Sequence, residues 1–302
     1  MLDVLTPDAA PGTYTGPPPL TWSNVLTSWT LDVPALVFVV VLAATYLLGV
    51  RSVAQHGRWP RGRTIAFLGG LAVLLVTCLG FLGVYSHVLA WTYAAQMALL
   101  LTLVPVLLAL GHPVGLAVEV RPGVAGVTGS RAMRVVTFPL LGIALVTGLP
   151  FAIWFTSWYA ASLEHAWAFA LAHLALVLVG FAFFWPLLAP DTDRRLPWAA
   201  AVAVVFVESV LDALPGIVLW LRSTLLAPEY WLTLNRPWGR SPLADQQLGG
   251  LVYWGIGELV GLPILLVTVV GWMRADAMDA ARIDAELDAQ EAAEELRRTG
   301  GA

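Results

Sequence analysis

Residues 64–118 read TIAFLGGLAVLLVTCLGFLGVYSHVLAWTYAAQMALLLTLVPVLLALGHPVGLAV and contain no Asp, Glu, Lys or Arg. The run is apolar without strand-like alternation. At ~1.5 Å per helical residue it is long enough to cross a ~30 Å hydrocarbon core twice. Ser86 and His87 interrupt it, so it divides into two spans joined as a tight helical hairpin. A second uncharged stretch separates Arg134 from Glu164. Such runs exclude barrel strands, which alternate over about ten residues.

The same reasoning extends to all 302 residues. Hydrophobic residues make up 59% and charged residues 12%, against about 25% charged in a soluble domain. Mean hydropathy is +0.78. So little charge cannot cover a water-facing surface. The chain reads as an all-α membrane bundle of seven transmembrane helices, near 33–50, 64–86, 88–111, 135–155, 165–189, 198–221 and 248–273. Segment 113–134, with Gly115, Pro122, Gly123, Gly126 and Gly129, reads as a connecting loop, and 222–247, with Pro228, Pro237 and Pro242, as the longest connection.

Arginine sets the orientation, because cytoplasmic loops hold the excess of positive charge. All sixteen basic residues are Arg, which together with the Ala, Val and Leu richness points to a GC-rich bacterial genome. Thirteen of them (Arg51, Arg58, Arg61, Arg63, Arg121, Arg131, Arg134, Arg194, Arg195, Arg274, Arg282, Arg297 and Arg298) fall on one side; Arg222, Arg236 and Arg240 fall on the other. The N-terminus is therefore expected outside and the C-terminus in the cytoplasm of a multi-pass protein of the bacterial plasma membrane. Three regions follow. Residues 1–32 form an extracytoplasmic tail, irregular because of Pro7, Pro11 and Pro17 to Pro19 and lacking the basic start of a signal peptide. Residues 33–273 form the transmembrane domain. Residues 274–302 form a charged helical tail, with Glu294 and Arg298 at supporting i,i+4 spacing; it reads as a solvated continuation of the last span or as a docking helix. Trp22, Trp29, Trp158, Trp198, Trp231 and Trp272 stand at span ends as interfacial anchors.

Ionisable groups inside spans are costly and mark function by default. They are His173 in the fifth span, Glu208 and Asp212 in the sixth and Glu258 in the seventh. The expected orientation puts His173 ~12 Å and Glu258 ~15 Å below the outer surface. Asp212 falls in the outer half and Glu208 near mid-membrane, one turn apart on one face. Tyr93, Gln96 and Met97 of the third span belong to the same layer, with His87 and His165 at span ends. The expectation is a contiguous outer layer with His173, Met97, Asp212 and Glu258 facing inward. Imidazole, thioether and carboxylate together can ligate copper, the thioether favouring Cu(I); hydrogen bonding that only holds the bundle together is the plainer role. The single cysteine, Cys78, allows no internal disulfide, thiol redox pair or Cys-rich metal site. His165 and His173 lack the partners that a bis-haem site needs, and no intramembrane protease motif is present. A proton- or substrate-coupled transporter using Glu208, Asp212 and Glu258, or a metal-free scaffold, is the alternative. No nucleic acid is expected as a partner.

Several local patterns carry a resemblance. They are Trp29 and Asp32-Val-Pro34, Trp59-Pro-Arg61 through Phe67-Leu-Gly69, and Gln96 followed by an apolar run to Pro105 and Gly111-His-Pro113. His173, Gly180, Phe184-Trp-Pro186 and Asp191 continue it, and Asp245, Gln246, Gln247, Leu248, Gly249 and Gly250 close it. The chain resembles the CtaG family of bacterial cytochrome c oxidase assembly factors over nearly its whole length except the tails. The resemblance implies a non-enzymatic accessory factor with oxidase subunits or a copper chaperone as partners, and copper as cargo. Where that family carries two histidines ahead of the third-span proline, this chain has Tyr93 and Met97. Where it carries the first of two fifth-span histidines, this chain has Phe169; Tyr253 stands at a frequent methionine position. His173 is retained. If the protein delivers copper, His173 and Met97 are expected to carry most of the binding, with His87 or a carboxylate completing the set.

Overall fold

Asp32 starts the first long helix. Its side chain accepts a hydrogen bond from the Ala35 amide at 2.9 Å, and Pro34 sits in the first turn, where its missing N–H costs nothing. The computed structural model describes residues 14–55, 57–188 and 197–299, with side chains through 287 and at 290. Pro7, Pro11, Asp191, Arg194 and Arg195 lie outside the described residues, as do the side chains of Glu294 and Arg298. The described elements are all helical: α1 (Trp22–Thr27), α2 (Val33–Ala54), α3 (Arg61–Leu79), α4 (Phe81–Tyr85), α5 (Ala90–Leu101), α6 (Leu103–Leu110), α7 (Pro113–Val120), α8 (Val124–Thr128), α9 (Arg131–Val136), α10 (Pro139–Trp154), α11 (Trp158–Glu164), α12 (Ala166–Leu188), α13 (Trp198–Leu221), α14 (Pro228–Thr233) and α15 (Pro242–Thr299).

Six spans are long and apolar enough to cross a membrane: α2, α3 with α4, α5 through α7, α12, α13 and α15. The remaining expected span differs. α10 has sixteen residues, ~24 Å of helix and short of the hydrocarbon core, and it joins α11 through a 66° bend. The Thr156 hydroxyl donates to Ala152 O and accepts from the Trp158 amide, which turns the chain there. Segment 113–134, expected to be a loop, forms α7, α8 and α9 instead. Pro113 occupies the first turn of α7, and the Ser130 side chain caps α9 by accepting from the Met133 amide. The expected irregular N-terminal tail contains the short helix α1.

The hairpin at 64–111 is present, but its second arm is broken. The Thr102 hydroxyl donates back to Ala98 O, and Pro105 has no N–H for the carbonyl of Leu101. Gly180 packs onto that exposed carbonyl and onto Pro105; a Cβ at 180 would collide with both. The break thus lets α12 approach the hairpin closely. α13 and α15 form the most extensive helix pair. They meet where Gly216 and Gly250 each face the other's backbone with no room for a side chain. Close approach through small residues is how membrane helices pack when lipid removes the hydrophobic drive. The Gly111-His-Pro113 corner is equally specific: His112 is left-handed (φ 51°), and the Tyr46 hydroxyl donates to Gly111 O at 2.8 Å while stacking on Phe67 at 3.9 Å.

Candidate metal centre and the carboxylate pocket

At the end of the bundle where α2 begins, the Thr30 amide donates to Leu79 O at 2.7 Å. That bond pins the entry to α2 against the last turn of α3 and brings Asp32 beside Cys78. His173, in the second turn of α12, reaches the same point; its Nδ1 lies 3.8 Å from Cys78 Sγ. One donor atom from each of Asp32, Cys78 and His173 lies within 4.8 Å of the others. Cys78 is 4% and His173 8% exposed. All three border a cavity of about 330 Å³ whose other walls include Leu74, Leu100 and Val177. Gln96 braces the site from behind, its Nε2 donating to Thr77 O at 2.8 Å, while its buried Oε1 has no partner among the described residues.

The other expected ligands lie around this point. His87 sits in the turn before α5, its Nδ1 3.1 Å from Ser86 Oγ, and its carbonyl accepts from the Tyr230 hydroxyl. Burial pushes the imidazole down to about 4, so it is neutral at physiological pH. The Phe169 ring packs on both His87 (4.7 Å) and His173 (4.0 Å). Tyr93 contacts Phe169 at 6.0 Å, and its hydroxyl pairs with Ser162 Oγ at 2.8 Å. Met97, 1% exposed, is part of the apolar core and does not border the cavity. His165 stacks on Trp167.

Glu208, Asp212 and Glu258 gather elsewhere, between α13 and α15. Their cavity of about 10 Å³ is at the lower limit for one water. The Tyr253 hydroxyl donates to Asp212 Oδ1 at 3.0 Å, and Trp254 Nε1 donates to Glu258 Oε1 at 3.1 Å. Glu208 is 3% exposed and makes no hydrogen bond among the described residues. Ser209 Oγ, beside it, is also unpaired. Among the described residues, no arginine borders this pocket. The layer expected to be contiguous is therefore two clusters, and Tyr253, at a methionine position of the resembled family, belongs to the second.

The closing motif has a structural role. Asp245 Oδ2 accepts from the Ala90 amide at 2.6 Å, satisfying an otherwise free N–H at the start of α5, and lies 4.0 Å from Arg236. Gln246 accepts from the Leu226 amide and donates to Thr224 O, and Gln247 donates to Arg222 O. Gly249 packs on the Ala90–Trp91 backbone and Gly250 on α13. Together they clamp the 222–227 segment and α5 to the head of α15.

Asp32 and Cys78 escape a reading that looks for ionisable residues within spans. Asp32 lies just before one, and Cys78 has no charge. Cys78 lies in the last turn of α3, and the fold alone brings it to His173.

A family model described as cytochrome c oxidase caa3 assembly factor matches residues 44–275. Uncharacterized proteins of Mycobacterium bovis and Mycobacterium tuberculosis are each 32% identical over 297 residues, covering 94% of this chain and 45% of the relative. One of Mycobacterium leprae is 28% identical over the same length. The chain thus spans about half the length of the curated relatives it matches. No solved structure matches it.

Proposed function

The chain belongs to the cytochrome c oxidase caa3 assembly factor family, and from that premise we propose that it delivers copper to a haem–copper oxidase during assembly, from the outer face of the bacterial plasma membrane. It acts as an accessory factor without catalysis of its own, and its partners are oxidase subunits or a copper chaperone. The supporting observation is the position of His173: a buried imidazole beside a thiol and a carboxylate, at the edge of a cavity. The arginine distribution supports the orientation. The end where α2 begins faces outward when the arginine-rich connections lie in the cytoplasm, with α10 and α11 together serving as a seventh span.

Two measurements test this. Reporters fused after residue 290 and at 160 read cytoplasmic and extracytoplasmic; reversal of both removes outer-face delivery. In a strain lacking the gene, His173→Gln inserts normally but fails to restore oxidase activity, with partial rescue by added copper. Full complementation without copper refutes delivery through His173.

Proton- or substrate-coupled transport remains the second reading, favoured by one observation: the unpartnered Glu208 beside two further carboxylates.

A further inference from the structure

We infer that Cys78, His173 and Asp32 form a three-donor Cu(I) site in which the lone cysteine supplies the principal ligand. Copper as the cargo rests on the delivery reading above; the donor set rests on geometry. Ligand bonds of ~2.3 Å to sulfur and ~2.0 Å to nitrogen, spanning the 3.8 Å between Cys78 Sγ and His173 Nδ1, subtend roughly 120° at the metal. That is the angle of a trigonal set, and a third donor is at hand. Asp32 engages Oδ1 with the Ala35 amide, which leaves Oδ2 to turn toward the metal without uncapping α2.

The chemistry of the set selects among metals. Thiolate and imidazole suit Cu(I) and zinc, but a structural zinc site closes with four protein donors in a tetrahedron. Here the described residues converge only three. Cu(I) with one thiolate and one imidazole is also electrically neutral, which suits apolar walls such as Leu74, Leu100 and Val177. Asp32, half-buried at the head of α2, adds a weaker oxygen donor close to the helix N-terminus, where negative charge is favoured. Soft donors hold the ion at depth while a hard, exchangeable one stands nearer the surface, an arrangement fitted to transfer. The metal enters already reduced, so no electron is needed. The Cys78 thiol gives its proton to water as the Cu–S bond forms, and takes one back on release.

This set shares His173 with the ligands expected from sequence and replaces Met97 and His87. Those two do not border the cavity, and Phe169 packs against the imidazoles of both His87 and His173.

The test uses the full chain, purified in mild detergent under reducing conditions and titrated with Cu(I) against the chromogenic chelator bicinchoninate. One Cu(I) per chain is expected, with a near-ultraviolet sulfur-to-copper charge-transfer band. Cys78→Ser removes the band and lowers affinity at least a hundredfold; His173→Gln lowers it comparably. Asp32→Asn keeps the stoichiometry and lowers affinity ~10–100-fold, as expected for a supporting donor. Alkylation of Cys78 by N-ethylmaleimide in the unmodified protein supplies a readout that needs no variant: Cu(I) blocks it. Wild-type affinity in Cys78→Ser, or unblocked alkylation at saturating Cu(I), overturns the site. Tight Zn(II) binding without Cu(I) binding overturns the metal assignment. If the site binds Cu(I) but Cys78→Ser still restores oxidase activity, the delivery reading fails while the site stands.

Discussion

The bundle buries polar groups in two places, and they are built differently. At the end where α2 begins, Asp32, Cys78 and His173 converge beside a cavity of about 330 Å³, with Cys78 Sγ paired to His173 Nδ1 at 3.8 Å. Between α13 and α15, Glu208, Asp212 and Glu258 share about 10 Å³, and neutral donors from Tyr253 and Trp254 hold two of the three. The first has free donor atoms and space. The second has hydrogen bonds and almost no space. Convergence with access suits a ligand, whereas hydrogen bonding without access suits a joint between helices, and the two cannot be told apart by counting intramembrane charges.

The largest separation should appear in metal binding. Cys78→Ser lowers Cu(I) affinity at least a hundredfold, while Asp212→Ala changes it less than about threefold, because distant sites act independently. Equal losses in the same titration would erase the distinction. Stability should reverse the ranking. Asp212→Ala strands the Tyr253 hydroxyl, which is 1% exposed, at a cost of ~1–3 kcal/mol. Cys78→Ser, nearly isosteric, stays within ~1 kcal/mol. Unfolding in mixed micelles measures both, and a larger loss for Cys78→Ser would show that the thiol is structural. Glu208→Gln breaks no hydrogen bond of the described residues and should cost under ~1 kcal/mol; a loss above ~2 kcal/mol would place it in the joint with Asp212. The smallest effect concerns His87. Its imidazole is held below its ordinary value of 6.5, at about 4, so the unfolded chain takes up the proton first. The stability it contributes is complete above pH 6.5 and falls as pH drops toward 4. His87→Gln should flatten that part of the stability–pH curve, and an unchanged slope would assign it to other groups.

Much of the fold is legible along the chain because a lipid core demands long apolar helices, as in residues 64–118. The breaks are less so. Thr102 and Pro105 lie in a run of unbroken hydrophobicity, and the opening at Leu101 acquires its purpose from Gly180, some eighty residues on. The bend between α10 and α11 depends on one threonine hydroxyl. At the site, His173 stands out in the sequence as an ionisable residue within a span, and the fold buries it. Asp32 and Cys78 do not stand out, because three separate elements create their meeting and no spacing records it. The Asp245–Gly250 motif shows the same limit: its residues mark the family, but their work as a clamp depends on Ala90, Leu226 and Gly216.

One further consequence lies in α15. Its 58 residues extend ~87 Å, nearly three times the hydrocarbon thickness. Its packing on α13 runs from Gly250 against Gly216 to Gly271 against Trp198, and the described side chains beyond Met273 are largely exposed. Mechanically this is a lever with a long clamped arm and a free one of about 28 residues, ~42 Å. Pivoted at Gly271, each degree of tilt moves the far end by roughly 0.7 Å. Pro263, whose ring removes a backbone hydrogen bond, lies within the clamped arm. Displacements too small to register at the clamp become a stroke of several ångströms at Thr299.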